Sequence, residues 1–353
     1  MRRDVKKGKH KKLIFIIAIL VIIGCIVGIY NFQLSPVAKD NKQVVFAVNQ
    51  GEARDQVLAN LKKEGLIRNE TVAKIESKIS GKQEFVAGNF LLSKNMGTRA
   101  ILSDLVDIKK AKEPGVAVTF PEGITAEKCA KIIASKTKFN KDDIIAKWND
   151  KEYVQKLQNK YWFLTDDIYK SQKVYLEGYI MPSTYFINED KSIEDFTEKI
   201  LDNTEQVLDG LKADMEKSKL STSQIITLAS IVQDEATKKE DMDKVAGVFY
   251  NRMAKNMNLG SSITVKYAIG GDLTWQEIET NTHIDSDYNT YKNPGLPPGP
   301  VGNPGKEAID AVLHPEKTDY LYFLADVKND GKVYYSKTLQ EHEKKVRKYL
   351  TIE

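Results

Sequence analysis

Hydrophobic and polar positions divide the chain into stretches of different period. Residues 13–30 read LIFIIAILVIIGCIVGIY, eighteen positions without a charge, and the next charge is Lys39. A helix of that length reaches about 27 Å, close to the hydrocarbon thickness of a bilayer. The pattern predicts a single N-terminal transmembrane helix over residues 13–31. Residues 31–36 offer no small-residue cleavage site, which argues against a removed signal peptide. Residues 32–43 are polar and read as a linker. Residues 44–48 alternate as a strand, and Val57, Leu58 and Leu61 share one face of a helix over 53–63 that Gly65 stops. A second helix over 70–80, a strand over 85–92 interrupted by Gly88, and a third helix over 98–108 complete a small α/β module, residues 44–113.

Beyond it the pattern is mixed. Residues 116–120 read as a strand, Thr125 can cap a helix, and a charged, mostly helical region runs to about 170. Residues 175–187 are aromatic and punctuated by Gly and Pro. Ser192 with Asp195 opens a helix expected to run to 214, and Ser221 with Gln224 forms a capping box for the next. A helix around 245–253, a polar loop and a Pro/Gly-rich stretch over 293–305 follow. Strands at 320–325 and 332–335, joined by an Asn329-Asp330-Gly331 turn, precede a C-terminal helix. The fold class is α+β, with residues 114–353 as one mixed domain.

Charge changes this picture in one respect. The whole chain carries +4, but residues 1–12 hold seven Lys/Arg against Asp4, so the remainder sums to −2. Basicity confined to a tail disfavours a nucleic-acid-binding body. Beside an apolar run, the same cations place the N-terminus in the cytoplasm and the body outside the cell membrane. Two cysteines exclude a disulfide framework, and four scattered histidines (10, 283, 314, 342) give no zinc spacing. His314 and His342 read as structural hydrogen-bonders. No G-x-S-x-G, phosphate loop or dinucleotide fingerprint is present. The single S-x-x-K match, Ser135 to Lys138, lacks its companion motifs.

One carboxylate stands out. With Leu228 at 0° on a helical wheel, Ile231, Val232 and Ile225 lie within 60°, and Glu235 falls at −20°, amid that apolar stripe. Asp234 and Gln233 fall off it. A carboxyl held against apolar side chains is favoured in its neutral form and can serve as a general acid. Geometry alone leaves the alternative open: Glu235 begins the polar end of a helix and pairs with Lys239.

The set LEGYIMPSTY (176–185), LASIVQDEA, KVAGVFYNRM, YNTYKNPGLPPGPVGNPG, HPEKTDYLYFLAD and YYSKTLQEH, in this order, resembles the endolytic murein transglycosylases of the YceG-like family. The resemblance spans residue 44 to the C-terminus, and the module at 44–113 is similar to that family's LysM-like domain. It implies a peptidoglycan lytic transglycosylase that cleaves the β-1,4 bond between N-acetylmuramic acid and N-acetylglucosamine in nascent strands, leaving 1,6-anhydro ends. The family's essential glutamate, the last acid of its S-I-V-E-K-E stretch, falls on Glu235. Tyr288, Asn289, Thr290, Tyr291, Pro298 and Gly299 would contact the glycan, with Glu177 and Ser262 in support. No cofactor is implied. The partners implied are glycan strands, the membrane and wall-synthesis or division proteins.

Departures from the family pattern lie around the expected cleft. Where the family carries L-Q-x-D-P-T-V, residues 259–265 read LGSSITV. Gln233 replaces the first Glu of the E-K-E stretch, and Ser183 stands where Asp is common. Those at Gly260, Ser262 and Ile263 motivate a rival reading, a wall-binding scaffold with a weakened cleft, against which the retained Glu235 argues. A hydrolytic muramidase is a further alternative, which needs a second carboxylate across the cleft.

Overall fold

A computed structural model of the chain describes residues 2–112, 115–271, 273–326 and 332–349. It is a mixed α+β protein that divides into two compact units, Met1–Gly115 and Val116–Glu353. The first unit contains α1 (Arg2–Leu34), β1 (Gln43–Val48), α2 (Arg54–Lys63), α3 (Glu70–Ile79), β2 (Gly88–Ser93) and α4 (Thr98–Leu105). β1 and β2 pair antiparallel with Phe46 opposite Phe90. Both rings are buried with Val57, Leu58 and Leu61 of α2 and Ile101, Leu102 and Leu105 of α4. The helical spacing of those residues gives each helix one apolar face to set against the sheet.

The membrane expectation is corrected here. Among the described residues no helix is long and apolar enough to cross a membrane. The single-pass anchor therefore falls, and with it the cytoplasmic N-terminus and the extracytoplasmic placement derived from it. The apolar run is no element of its own but the later part of α1, continuous with the basic tail. Ile19, Leu20, Ile22 and Ile26 there are exposed, whereas Leu34 is buried. Tyr30 donates to the Glu76 carboxylate at 2.7 Å, and Arg99 holds the same carboxylate at 3.0 Å. Positions 13–16 and 18 of the expected span lie outside the residues whose side chains are described.

The second unit runs β3 (Val116–Phe120), α5 (Ala126–Lys136), α6 (Lys141–Trp148), α7 (Lys151–Lys160), a 3-10 turn at Asp166–Lys170 and β4 (Ser183–Ile187). It continues through α8 (Ile193–Asp209), α9 (Lys212–Lys217), α10 (Thr222–Glu235), α11 (Lys239–Ala254), α12 (Ser262–Ile269) and α13 (Trp275–Thr280). α14 (Lys306–Leu313), β5 (Tyr322–Asp326), β6 (Lys332–Ser336) and α15 (Leu339–Tyr349) end it. β3 pairs antiparallel with β4, Val118 opposite Tyr185, and β5 with β6, Leu324 opposite Tyr334. The expected turn at 329–331 lies outside the described residues.

Two local expectations change. The helix expected over 192–214 breaks after Asp209 at Gly210, the poorest helix former after proline, giving α8 and α9. The polar loop expected after residue 253 contains α12 and α13, the latter opened by a capping box of Thr274 and Glu277. At the centre stands α10, whose residues 225–232 are all buried, packed against α11 and α14. A helix apolar on every side must be enclosed by its neighbours.

Candidate active site

Glu235 is the last residue of α10, and Ala236 beyond it is extended at φ −144° and ψ 143°. Because α10 is enclosed all round, no single apolar stripe distinguishes Glu235. Its carboxyl is half-buried where the helix leaves the core. The Ser261 hydroxyl donates to Glu235 Oε1 at 2.6 Å.

That hydroxyl is itself held in place. The Ser261 N–H donates to Thr290 Oγ1 at 3.0 Å, and Thr264 Oγ1 donates to the Ser261 carbonyl at 2.8 Å. The two threonine hydroxyls lie 2.9 Å apart. With the Thr264 proton already directed at Ser261, Thr290 is left to donate to Thr264, which closes a ring of buried hydrogen bonds. The preceding Gly260 adopts φ +55°, a left-handed conformation that glycine takes without strain, where the family pattern has Gln.

Arg252 backs the same loop. Its Nε donates to the Leu321 carbonyl at 2.6 Å, its Nη1 bonds the Leu259 carbonyl, and the guanidinium lies 5.2 Å from the Tyr322 ring centroid. Burial lowers its pKa, an effect opposed by the anionic forms of Tyr322 and Tyr291 and by Glu235. Lys239, the alternative partner for Glu235, pairs instead with Asp243 and with Asp310 at 3.0 Å. Gln233 ties two loops together, donating to Glu122 at 3.1 Å and accepting from the Gly305 N–H at 2.8 Å.

Beside this helix end opens a cleft of about 800 Å³, lined in part by Asp234, Glu177, Ile263, Lys266 and Tyr267. That volume falls in the range of small-molecule sites, about 300–1,000 Å³. Glu177 is 1 % exposed. It accepts from the Ala126 N–H at 2.8 Å, the Tyr267 hydroxyl at 3.2 Å and the Asn303 amide at 3.3 Å. Burial outweighs these donors and raises its pKa to about 7. The following Gly178 sits at φ +88°, and a Cβ there would come within 2.5 Å of Pro300. Glycine is therefore what lets the two loops approach.

The other expected site residues separate into two groups. Tyr288, Asn289 and Thr290 are buried. Asn289 donates to the carbonyls of Thr282 and Ile284 and accepts from the Tyr291 N–H at 3.0 Å, so its amide organises the loop. Tyr288 packs on Tyr267 with centroids 4.9 Å apart, and a Cβ on Gly299 would lie 3.4 Å from the Tyr288 hydroxyl. Tyr291 is 37 % exposed and flanks Gly260. Pro298 lines a separate cavity of about 450 Å³. Ser262, half-buried, begins α12, so its neighbour Ser261 is the one that reaches Glu235. Sequence reasoning missed Ser261 and Arg252, because both act through contacts between segments far apart along the chain.

The sequence profile of the YceG-like family matches residues 46–348. The chain belongs to the YceG-like family. This YceG-like protein is 38% identical over 325 residues to a Bacillus subtilis (strain 168) protein named endolytic murein transglycosylase, covering 90% of this chain and 88% of the relative. A Streptococcus pneumoniae (strain D39) protein of the same name is 31% identical over 359 residues, covering 95% of this chain and 65% of that longer relative. Among solved structures, a yceG-like protein from Listeria monocytogenes superposes with a TM-score of 0.60 at 35% identity, covering 86% of this chain and 99% of that one.

Proposed function

We propose that this chain is a peptidoglycan endolytic transglycosylase with Glu235 as its acid and then its base. The family and the names of its relatives support the activity. One observation carries the assignment of the residue: a half-buried carboxyl at the end of an enclosed helix, with a fixed Ser261 hydroxyl 2.6 Å from one oxygen; the neighbouring Asp234, not Glu235, lines the cleft of about 800 Å³. Protonated Glu235 gives its proton to the glycosidic oxygen of the leaving N-acetylglucosamine as the bond to C1 of N-acetylmuramic acid breaks. The C6 hydroxyl of the same muramic acid attacks C1, and its proton passes to the Glu235 carboxylate. The product is a 1,6-anhydro ring, and Glu235 ends protonated as it began. A tethered nucleophile replaces the positioned water that hydrolases need, so one carboxyl suffices.

Tyr291, exposed beside Gly260, offers a ring face to a sugar, while Tyr288, Asn289 and Thr290 act through the loop they hold. Pro298 and Gly299 supply rigid backbone near the glycan, and Glu177 and Ser262 support the cleft walls. The βααβ arrangement of β1, α2, α3 and β2 supports reading residues 44–113 as a LysM-like module and 114–353 as the catalytic domain. The resemblance further supports wall-synthesis or division proteins as partners.

The test is mass spectrometry of purified peptidoglycan digested by the chain, with Glu235→Gln alongside. Anhydro-muropeptides made by the parent and absent with the variant are the expected result. Reducing ends would instead mean a muramidase. No product with retained glycan binding would leave the scaffold.

A further inference from the structure

The cavity of about 450 Å³ is not the one beside Glu235. It lies at the other end of α10, lined by Ser223, Gln224 and Thr227 of that helix, by Met257, and by Pro297 and Pro298. Gln224 and Glu235 are eleven residues apart, three helical turns, so they fall on the same side of α10 about 16 Å apart along its axis.

Two loops bridge that interval. The Gly260 N–H donates to the Thr290 carbonyl at 2.9 Å, and the Asn258 amide donates to the Tyr291 carbonyl at 2.6 Å. The segment that ends at Ser261, on Glu235, therefore starts at Met257, on the cavity, with the exposed Tyr291 ring between.

The lining suits a neutral, amphipathic ligand. Proline rings and the Met257 thioether form an apolar wall. Gln224 accepts the Ser221 N–H with Oε1 at 2.9 Å, which leaves its amide protons as donors. The two charged groups at the rim, Asp167 and Lys170, neutralise each other at 2.6 Å, which disfavours an anion. The Tyr179 hydroxyl, buried and without a hydrogen-bond partner among the described residues, lies beside Ser223 and Asp167.

We infer that this cavity is a distal glycan subsite, holding the strand several sugars away from the bond cut beside Glu235. The inference rests on the proposed function and adds to it a physical basis for cutting within strands: a site this far from the acid is filled only by a strand long enough to reach it.

The test uses the full chain carrying Glu235→Gln, which stops turnover, and measures its affinity for long glycan strands and for short oligosaccharides cut from them. Long strands should bind about tenfold more tightly than short ones, the equivalent of one good contact region. Met257→Trp fills the cavity and should bring that ratio close to one. Gln224→Glu keeps the capping acceptor while replacing the amide donor with a charge, and should lower the ratio severalfold. This second variant gives a reading if the tryptophan does not fold. A ratio of one in the parent, or the same ratio in all three proteins, overturns the subsite. Failure of the catalytic reading is distinct from either: the chain with Glu235 intact would then produce no anhydro ends, whatever the affinities.

Discussion

Two glutamates of the second compact unit meet opposite surroundings. Glu177 is enclosed, receives three donors from three segments, and has its pKa raised to about 7. Glu235 stands half-buried at a helix end with the fixed Ser261 hydroxyl on one oxygen. The first is a structural clasp between the start of α5, α12 and the loop carrying Asn303. The second is half-buried, so part of it faces solvent. A carboxyl satisfied on all sides holds the fold, whereas an acid that must pass a proton needs one side open.

The largest effect that separates them is catalytic. Glu235→Gln should lower the rate of anhydro-muropeptide formation by about a thousandfold, in the range of lost general acid–base catalysis, with a melting temperature close to the parent's. Glu177→Ala should do the reverse in kind. It leaves three buried donors unpaired and should destabilise the unit by about 3 kcal/mol in denaturant unfolding. A glutamate-235 variant that unfolds, or a glutamate-177 variant as stable as the parent, would break the contrast.

The pH dependence of stability sharpens it. An acid whose pKa is raised on folding binds its proton more tightly in the folded state. The Glu177 contribution is thus fully present below the ordinary carboxylate range and is lost as the pH rises through about 7. Lys173, Tyr267, Tyr288 and Cys129 are titratable groups that interact with it. Glu177→Gln should flatten the stability profile between pH 5 and 8, as read by thermal melts across that window; an unaltered slope would assign the dependence to other groups.

The smallest effect concerns positioning. Ser261→Ala removes one hydrogen bond to Glu235 and should cost about 1 kcal/mol of transition-state stabilisation, a several-fold fall in kcat with little change in KM. Its pH–rate profile should move as well, because the hydroxyl acts on the protonation of Glu235. Ser262→Ala, one residue on, should leave that profile in place.

Much of the framework was legible along the chain. Both capping boxes, Ser192 with Asp195 and Ser221 with Gln224, form as their spacing predicts, because each satisfies helix N–H groups within four residues. The buried faces of α2 and α4 follow their helical periodicity for the same local reason. The transmembrane helix did not survive, since a continuous apolar run was read without the helix in which it lies. α12 and α13 were missed because helices of eight and six residues depend on their surroundings more than on their own propensity.

The family, the helix starts, the central apolar helix and the position of Glu235 at its end are each written in neighbouring residues. What Glu235 meets was settled by packing. Ser261 is 26 positions away, and the Thr290 that orients it lies further still. The enclosure of Glu177 likewise brings together Ala126, Tyr267 and Asn303. Burial and hydrogen-bond partners of this kind arise when distant segments pack, so no local pattern of residues can specify them.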